Sequence, residues 1–246
     1  MNSFPIPAPL FNGKSRKANV GNSLLWLHQG WLIFIASPVQ WILLTALFLL
    51  IQATLVFIPL AGKIVASLLM PVFAAGFLHI CQKISKDSTT TLADLFVGFT
   101  QNAQGLVILG ILYAAGTFLV VFVASFIGGV LLAGTILSQM TILAVLTFLA
   151  FILLAPLFIF MLTLPLLMAV WFAPALIFFN NLSPTAAIKS SFNACLKNIL
   201  PFIIYGLIVG VLFCIAVLPL GLGLLILIPV LSGSIYASYQ DIFLAN

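Results

Sequence analysis

Three prolines, Pro156, Pro165 and Pro174, recur nine residues apart inside the unbroken apolar stretch P-L-F-I-F-M-L-T-L-P-L-L-M-A-V-W-F-A-P. Each removes a backbone donor and clashes with the preceding turn, which helices in water rarely tolerate. A membrane helix tolerates proline where neighbouring helices, Ser/Thr side chains or water satisfy the freed carbonyls. The stretch therefore needs lipid around it, and the composition agrees. Of 246 residues, 64% are hydrophobic and 4% charged, where a soluble protein carries about 25% charged residues. Eight Lys/Arg and three Asp/Glu cannot clothe a soluble surface.

The formal charge of +5 does not point to nucleic acid. The charges stand singly or in twos and threes between apolar runs, as expected of topology-setting residues beside anionic headgroups. Cys81, Cys195 and Cys214 have no paired spacing, so neither a disulfide nor a zinc site is expected. His79 and Cys81, two apart, fall on different sides of a helix and make a poor metal pair.

Residues 1–20, with Pro5, Pro7, Pro9, Lys14, Arg16 and Lys17, read as a disordered cytoplasmic tail. His28-Gln29-Gly30 interrupts the first apolar run, which argues against a cleaved leader. Runs long enough for about 30 Å of hydrocarbon cover Val39–Ile58, Lys63–Cys81, Gln104–Ile127, roughly Thr141–Phe179, Ile199–Leu218 and Leu222–Ser238. Gly128-Gly129 is expected to end the third. Gly129–Met140 would then lie in the interface or dip partway into the bilayer, and the prolines would break the overlong fourth run. One broken helix, a re-entrant segment and two spans all remain open for residues 129–179. Six spans with both termini inside leave only Lys63 outside, which satisfies the positive-inside rule.

Each odd-numbered span is preceded by a short amphipathic segment with one spacing. Leu27, Trp31, Phe34 and Ser37 match Leu92, Phe96, Phe99 and Asn102, and again Ile188, Phe192, Cys195 and Asn198. Steps of four, three and three make an apolar stripe on one helix face, suited to the headgroup plane with the stripe toward acyl chains. Lys189 and Lys197 flank the third copy, consistent with headgroup contact. The second span of each pair carries apolar-Pro-apolar-apolar at Pro71, Pro165 and Pro229. The fold expected is all-α: a polytopic six-span membrane domain over 21–246 with cytoplasmic-face interfacial helices. A three-fold internal repeat would have units about 21–86, 91–180 and 184–243, the middle one carrying an insertion of about thirty residues.

Ionisable groups inside a membrane cost about 2.5–3.5 kcal/mol each and mark function when retained; here they are almost absent. Asp94 or the nearby threonines should start the second interfacial helix. Asp241, beside Tyr236 and Tyr239, is expected to pair with Lys197 or Lys83, and His79 to act as a hydrogen-bonding anchor near the interface. Gln52, Thr54, Tyr113, Thr117, Thr163 and Tyr205 are expected to form interhelical hydrogen bonds, worth about 0.6 kcal/mol each. No catalytic motif, nucleotide loop or intramembrane carboxylate pair occurs, so neither an enzyme nor a cofactor is expected. Pro156 and Pro174, without counterparts in the other units, are the positions where asymmetry is expected.

At Leu164–Leu176, Ser191–Phe202 and Tyr236–Phe243 the chain resembles an uncharacterised family of proteobacterial inner-membrane proteins. Ser37-Pro38 and the F-V-G-F of Phe96–Phe99 are in register, and the likeness runs from about Gly21 to Phe243. It is more loosely similar to the membrane domain fused to some glycerophosphodiester phosphodiesterases. The resemblance implies a multi-pass protein of the bacterial inner membrane and carries no activity. Two functions are expected: a non-catalytic module that binds lipid or a partner protein, or an exporter of an apolar or amphipathic solute.

Overall fold

The computed structural model describes residues 11, 13–58, 61–137 and 141–244. Pro59 and Leu60, between the first two expected spans, and Pro5, Pro7 and Pro9 lie outside them. Among the described residues every regular element is helical. The order is α1 (Asn22–Ala36), α2 (Pro38–Val56), α3 (Ala61–Ser85), a 3₁₀ helix (Leu92–Phe99), α4 (Ala103–Leu137), α5 (Thr141–Val170), α6 (Ala173–Asn180), α7 (Pro184–Lys197), α8 (Ile199–Val217) and α9 (Leu224–Tyr239). A π-helical turn, Gln240–Leu244, continues α9.

The protein is thus an all-α polytopic membrane protein. Among the described residues, five helical stretches, in α2, α3, α4, α5–α6 and α8, are long and apolar enough to cross a bilayer. The sixth expected span, α9, has 16 residues, fewer than the roughly 20 that a span requires. It is also largely enclosed by the other helices, with Leu227, Pro229, Val230, Gly233, Ser234 and Tyr236 all buried.

The middle of the chain differs from its expectation. Gly128-Gly129 does not end a helix, because α4 continues through it to Leu137 and spans 35 residues. In hydrocarbon the backbone groups have no water to turn to, so a helix persists through glycines that would weaken it in water. A Cβ on Gly128 would meet the Phe151 ring of α5 at 2.9 Å, so the glycine admits a close neighbour instead. The expected interfacial segment Gly129–Met140 is therefore helical as far as Leu137; Ser138–Met140 lie outside the described residues. Likewise α5 runs unbroken through Pro156 and Pro165. The break falls at Trp171-Phe172, just before Pro174, which occupies the first turn of α6. There the missing N–H is one a helix start leaves unpaired anyway. Of the three prolines only Pro174 marks a break.

The three amphipathic helices each pack on a helix that carries one of the apolar-Pro marks: α1 on α9, the 3₁₀ helix on α3, and α7 on α5. Glycine sets two of these crossings. A Cβ on Gly30 would strike the Val230 carbonyl and, at 2.8 Å, the Ser234 nitrogen, while one on Gly233 would come within 2.8 Å of the Gly30 Cα. Gly76 and Gly98 meet the backbone of Leu95 and Val72 in the same way. At the α5–α7 crossing a side chain replaces glycine. The Ser191 hydroxyl donates to the Met168 carbonyl at 2.7 Å and accepts the Phe172 N–H at 3.0 Å.

These crossings also redirect the amphipathic stripes. Leu27 and Phe34 of α1 are buried against protein and Trp31 is left exposed. In the 3₁₀ helix Leu92, Phe96 and Phe99 face outward while Leu95 is buried, and in α7 Cys195 is buried. Only the second stripe lies wholly on the outer surface as expected, because α1 is claimed by α9. The core is filled by Trp26, Trp41, Phe73, Phe172, Leu176 and Tyr239, each almost fully enclosed.

Candidate functional site

The polar side chains gather at one end of the bundle. Asp241, expected to pair with Lys197 or Lys83, instead forms an ion pair with Arg16. Its second carboxylate oxygen accepts Asn22 Nδ2 at 2.7 Å and Trp26 Nε1 at 2.9 Å. Asn22 and Trp26 are four apart on α1 and so share a face. The Arg16 N–H donates to the Ile242 carbonyl at 2.9 Å. Asn198 accepts the Ala18 N–H at 2.7 Å and donates to the Arg16 carbonyl at 3.0 Å, and Lys197 Nζ reaches the Ser15 carbonyl at 3.2 Å. From Ser15 to Ala18, in place of the expected tail, the chain is a strap fastened across the ends of α7 and α9. Residues 1–10 and 12 lie outside the description.

A second cluster sits on the loop after α3. Lys83 Nζ contacts both Asp94 carboxylate oxygens, at 2.9 and 2.8 Å. Asp94 and Thr91 form a reciprocal capping box at the start of the 3₁₀ helix, the helix start expected there. Burial alone would raise the Asp94 pKa, but the bonds from Lys83 and Thr91 outweigh it and hold the carboxyl below the usual aspartate value. His79 Nε2 lies 3.7 Å from Asp94, with its ring edge-on to Phe178. Both clusters use their carboxylates as structural acceptors. Among the described residues no group of three His, Cys, Asp or Glu side chains is placed to hold a metal. Burial pushes the Cys195 thiol up to about 12, which keeps it protonated.

Intramembrane polar groups mostly turn inward on their own helices. The hydroxyls of Thr54, Thr117 and Thr163 donate to carbonyls three or four residues back, a local outlet that removes the need for an interhelical partner. Of the groups expected to bridge helices, Gln52 to Met70 and Tyr205 with Ser234 do so among the described residues.

Two grooves open on the outer, lipid-facing surface. One lies along α8 over Gly206, Gly210 and Cys214, has about 460 Å³ and carries no charge. The other, about 430 Å³, lies between α4, α5 and α7 and is lined by Gly116, Leu119, Leu162, Pro165, Lys189 and Phe192 among others. Its lining is apolar except for Lys189. Here two separately singled-out residues, Pro165 and Phe192, come together. The other prolines expected to kink their helices do not join them: Pro71 and Pro229 are buried inside α3 and α9, Pro174 is buried at the head of α6, and Pro156 faces outward along α5. Trp31 meets the Phe34 ring, and Phe96 meets the Phe73 and Phe99 rings. The residues that sequence reasoning missed are Arg16, Asn22 and Trp26; the four-residue spacing of Asn22 and Trp26 was the available signal.

Among the described residues, an all-helical bundle with five apolar stretches long enough to cross a bilayer defines a polytopic membrane protein. The chain is similar to a probable inner membrane protein of Burkholderia thailandensis, 28% identical over a 251-residue alignment that covers 89% of this chain and 90% of that protein. The match fits an uncharacterised inner-membrane protein family. No protein-family model matches the chain, and no solved structure matches it at a significant level.

Proposed function

We propose that this protein is a non-catalytic, lipid-interacting module of the bacterial inner membrane. The observation that carries the reading is the groove between α4, α5 and α7, which opens to the acyl region and has one cation in its lining. Six spans with both termini cytoplasmic accompany it. The ion pair between Arg16 and Asp241 sets the first and last described segments at one end, which supports an even number of crossings. Arg16, Lys83 and Lys197 cluster at that end, the pattern of a cytoplasmic face. The seating of each amphipathic helix on a helix that carries an apolar-Pro mark supports reading the chain as three related units. An interior filled by Trp26, Trp41, Phe73 and Phe172 favours this function over export of an apolar solute.

The test is native mass spectrometry of the full chain after exchange into lipid-free detergent. Retention of about one lipid per chain supports the proposal. Folded chain without retained lipid, together with saturable solute flux from liposomes that Pro165→Ala abolishes, overturns it in favour of export.

A further inference from the structure

We infer that the groove between α4, α5 and α7 takes an anionic phospholipid, with the headgroup phosphate on Lys189 and an acyl chain along Leu119, Leu162 and Pro165. The assignment rests on the lipid-binding reading above and adds to it the class of headgroup. Three observations lead to it. First, Lys189 is free. Arg16 is held by Asp241, Lys83 by Asp94 and Lys197 by the Ser15 carbonyl, whereas Lys189 makes no hydrogen bond or ion pair among the described residues. Asp241 and Asp94 are already paired with Arg16 and Lys83, which leaves Lys189 available to an anion from outside the chain.

Second, the groove joins one cation to apolar walls. Besides Lys189 it is lined by Gly116, Leu119, Leu162, Pro165 and Phe192 among others, a lining that fits a charged head and a hydrocarbon tail in one piece. Basic pockets between spans on the cytoplasmic side bind anionic lipid headgroups on this principle.

Third, the construction differs from the other two short-helix crossings. Gly30 with Gly233, and Gly76 with Gly98, bring helix backbones into contact and leave no room. At the α5–α7 crossing the Ser191 hydroxyl bridges to Met168 and Phe172 instead, and the groove opens beside it. The α8 groove, of similar volume but without a cation, provides an internal comparison that should hold lipid without regard to headgroup.

The experiment incubates the detergent-purified full chain with phosphatidylglycerol and phosphatidylcholine of identical acyl chains and counts retained adducts by native mass spectrometry. Wild type is expected to retain phosphatidylglycerol over phosphatidylcholine by about fivefold, the factor one lysine contact with anionic lipid carries. Lys189→Ala should abolish the preference while lipid of either class is still retained. Leu119→Trp, at an outward-facing position that leaves folding intact, should fill the groove and lower retention of the preferred lipid. Equal retention of the two lipids by wild type, or a preference unchanged in Lys189→Ala, overturns the headgroup assignment but not the lipid module. Retention of neither lipid by wild type overturns the module itself.

Discussion

Asp241 collects donors from the opposite end of the sequence, the strap at Arg16 and the first helix at Asn22 and Trp26. Removing a buried acceptor leaves its donors unsatisfied, at about 1–3 kcal/mol per group. The Arg16 side chain is 41% exposed, so water can replace what it loses. The order of destabilisation is therefore Asp241→Ala first, by about 2–3 kcal/mol, then Trp26→Phe, then Arg16→Ala at about 1 kcal/mol or less. Thermal unfolding of the three variants in detergent checks it, and an Arg16→Ala effect equal to that of Asp241→Ala would refute it. The sequence marked Asp241 as the acid needing a cation but offered the wrong cations. Lys83 lies near it in a span-end alignment, yet Lys83 is taken by Asp94, eleven residues on. Arg16 could not be chosen because nothing in a polar, proline-rich segment encodes that it folds back.

The elements were legible where periodicity decides them. Three short amphipathic segments and the long apolar runs all occur as helices, since a polar-free stretch in lipid has no alternative outlet for its backbone groups. What was not legible was the response to Gly and Pro, whose breaking power is a property of water-exposed helices. Gly128-Gly129, Pro156 and Pro165 all sit inside continuous helices. The stripes failed for a related reason. An apolar face tells that a surface is sheltered, and lipid and protein shelter it equally well, so only the α1–α9 crossing decided that Leu27 and Phe34 go inward. That crossing makes a sharp prediction. Gly30→Ala places a methyl against backbone atoms of α9, and overpacking of this kind costs about 1–3 kcal/mol. Gly206→Ala and Gly210→Ala, with no atom within 4 Å of the new methyl, should leave the unfolding midpoint within about 1 °C, since they add no strain. Equal losses at Gly30 and Gly206 would show that backbone approach does not govern the α1–α9 contact.

The whole molecule closes on itself: α1 lies on α9, the 3₁₀ helix on α3, α7 on α5, and the strap and the final turn meet at Asp241. With Lys63 at the start of α3 and Lys86 just past its end, the proposed orientation puts these two lysines on opposite sides. Lys63→Cys should react with a membrane-impermeant maleimide added to spheroplasts, and Lys86→Cys only after lysis; labelling of Lys86→Cys in intact spheroplasts would invert the topology. Closure also has a bearing on biogenesis. Gly30 and its mate Gly233 are separated by about 200 residues, which a ribosome adding roughly 5–20 residues per second delivers over about 10–40 s. For that interval the earliest helix has emerged with its tightest contact still unmade. The fold is completed from its last segment, so a nascent chain stalled after α8 would hold an open seam that insertion factors or quality-control proteases can recognise.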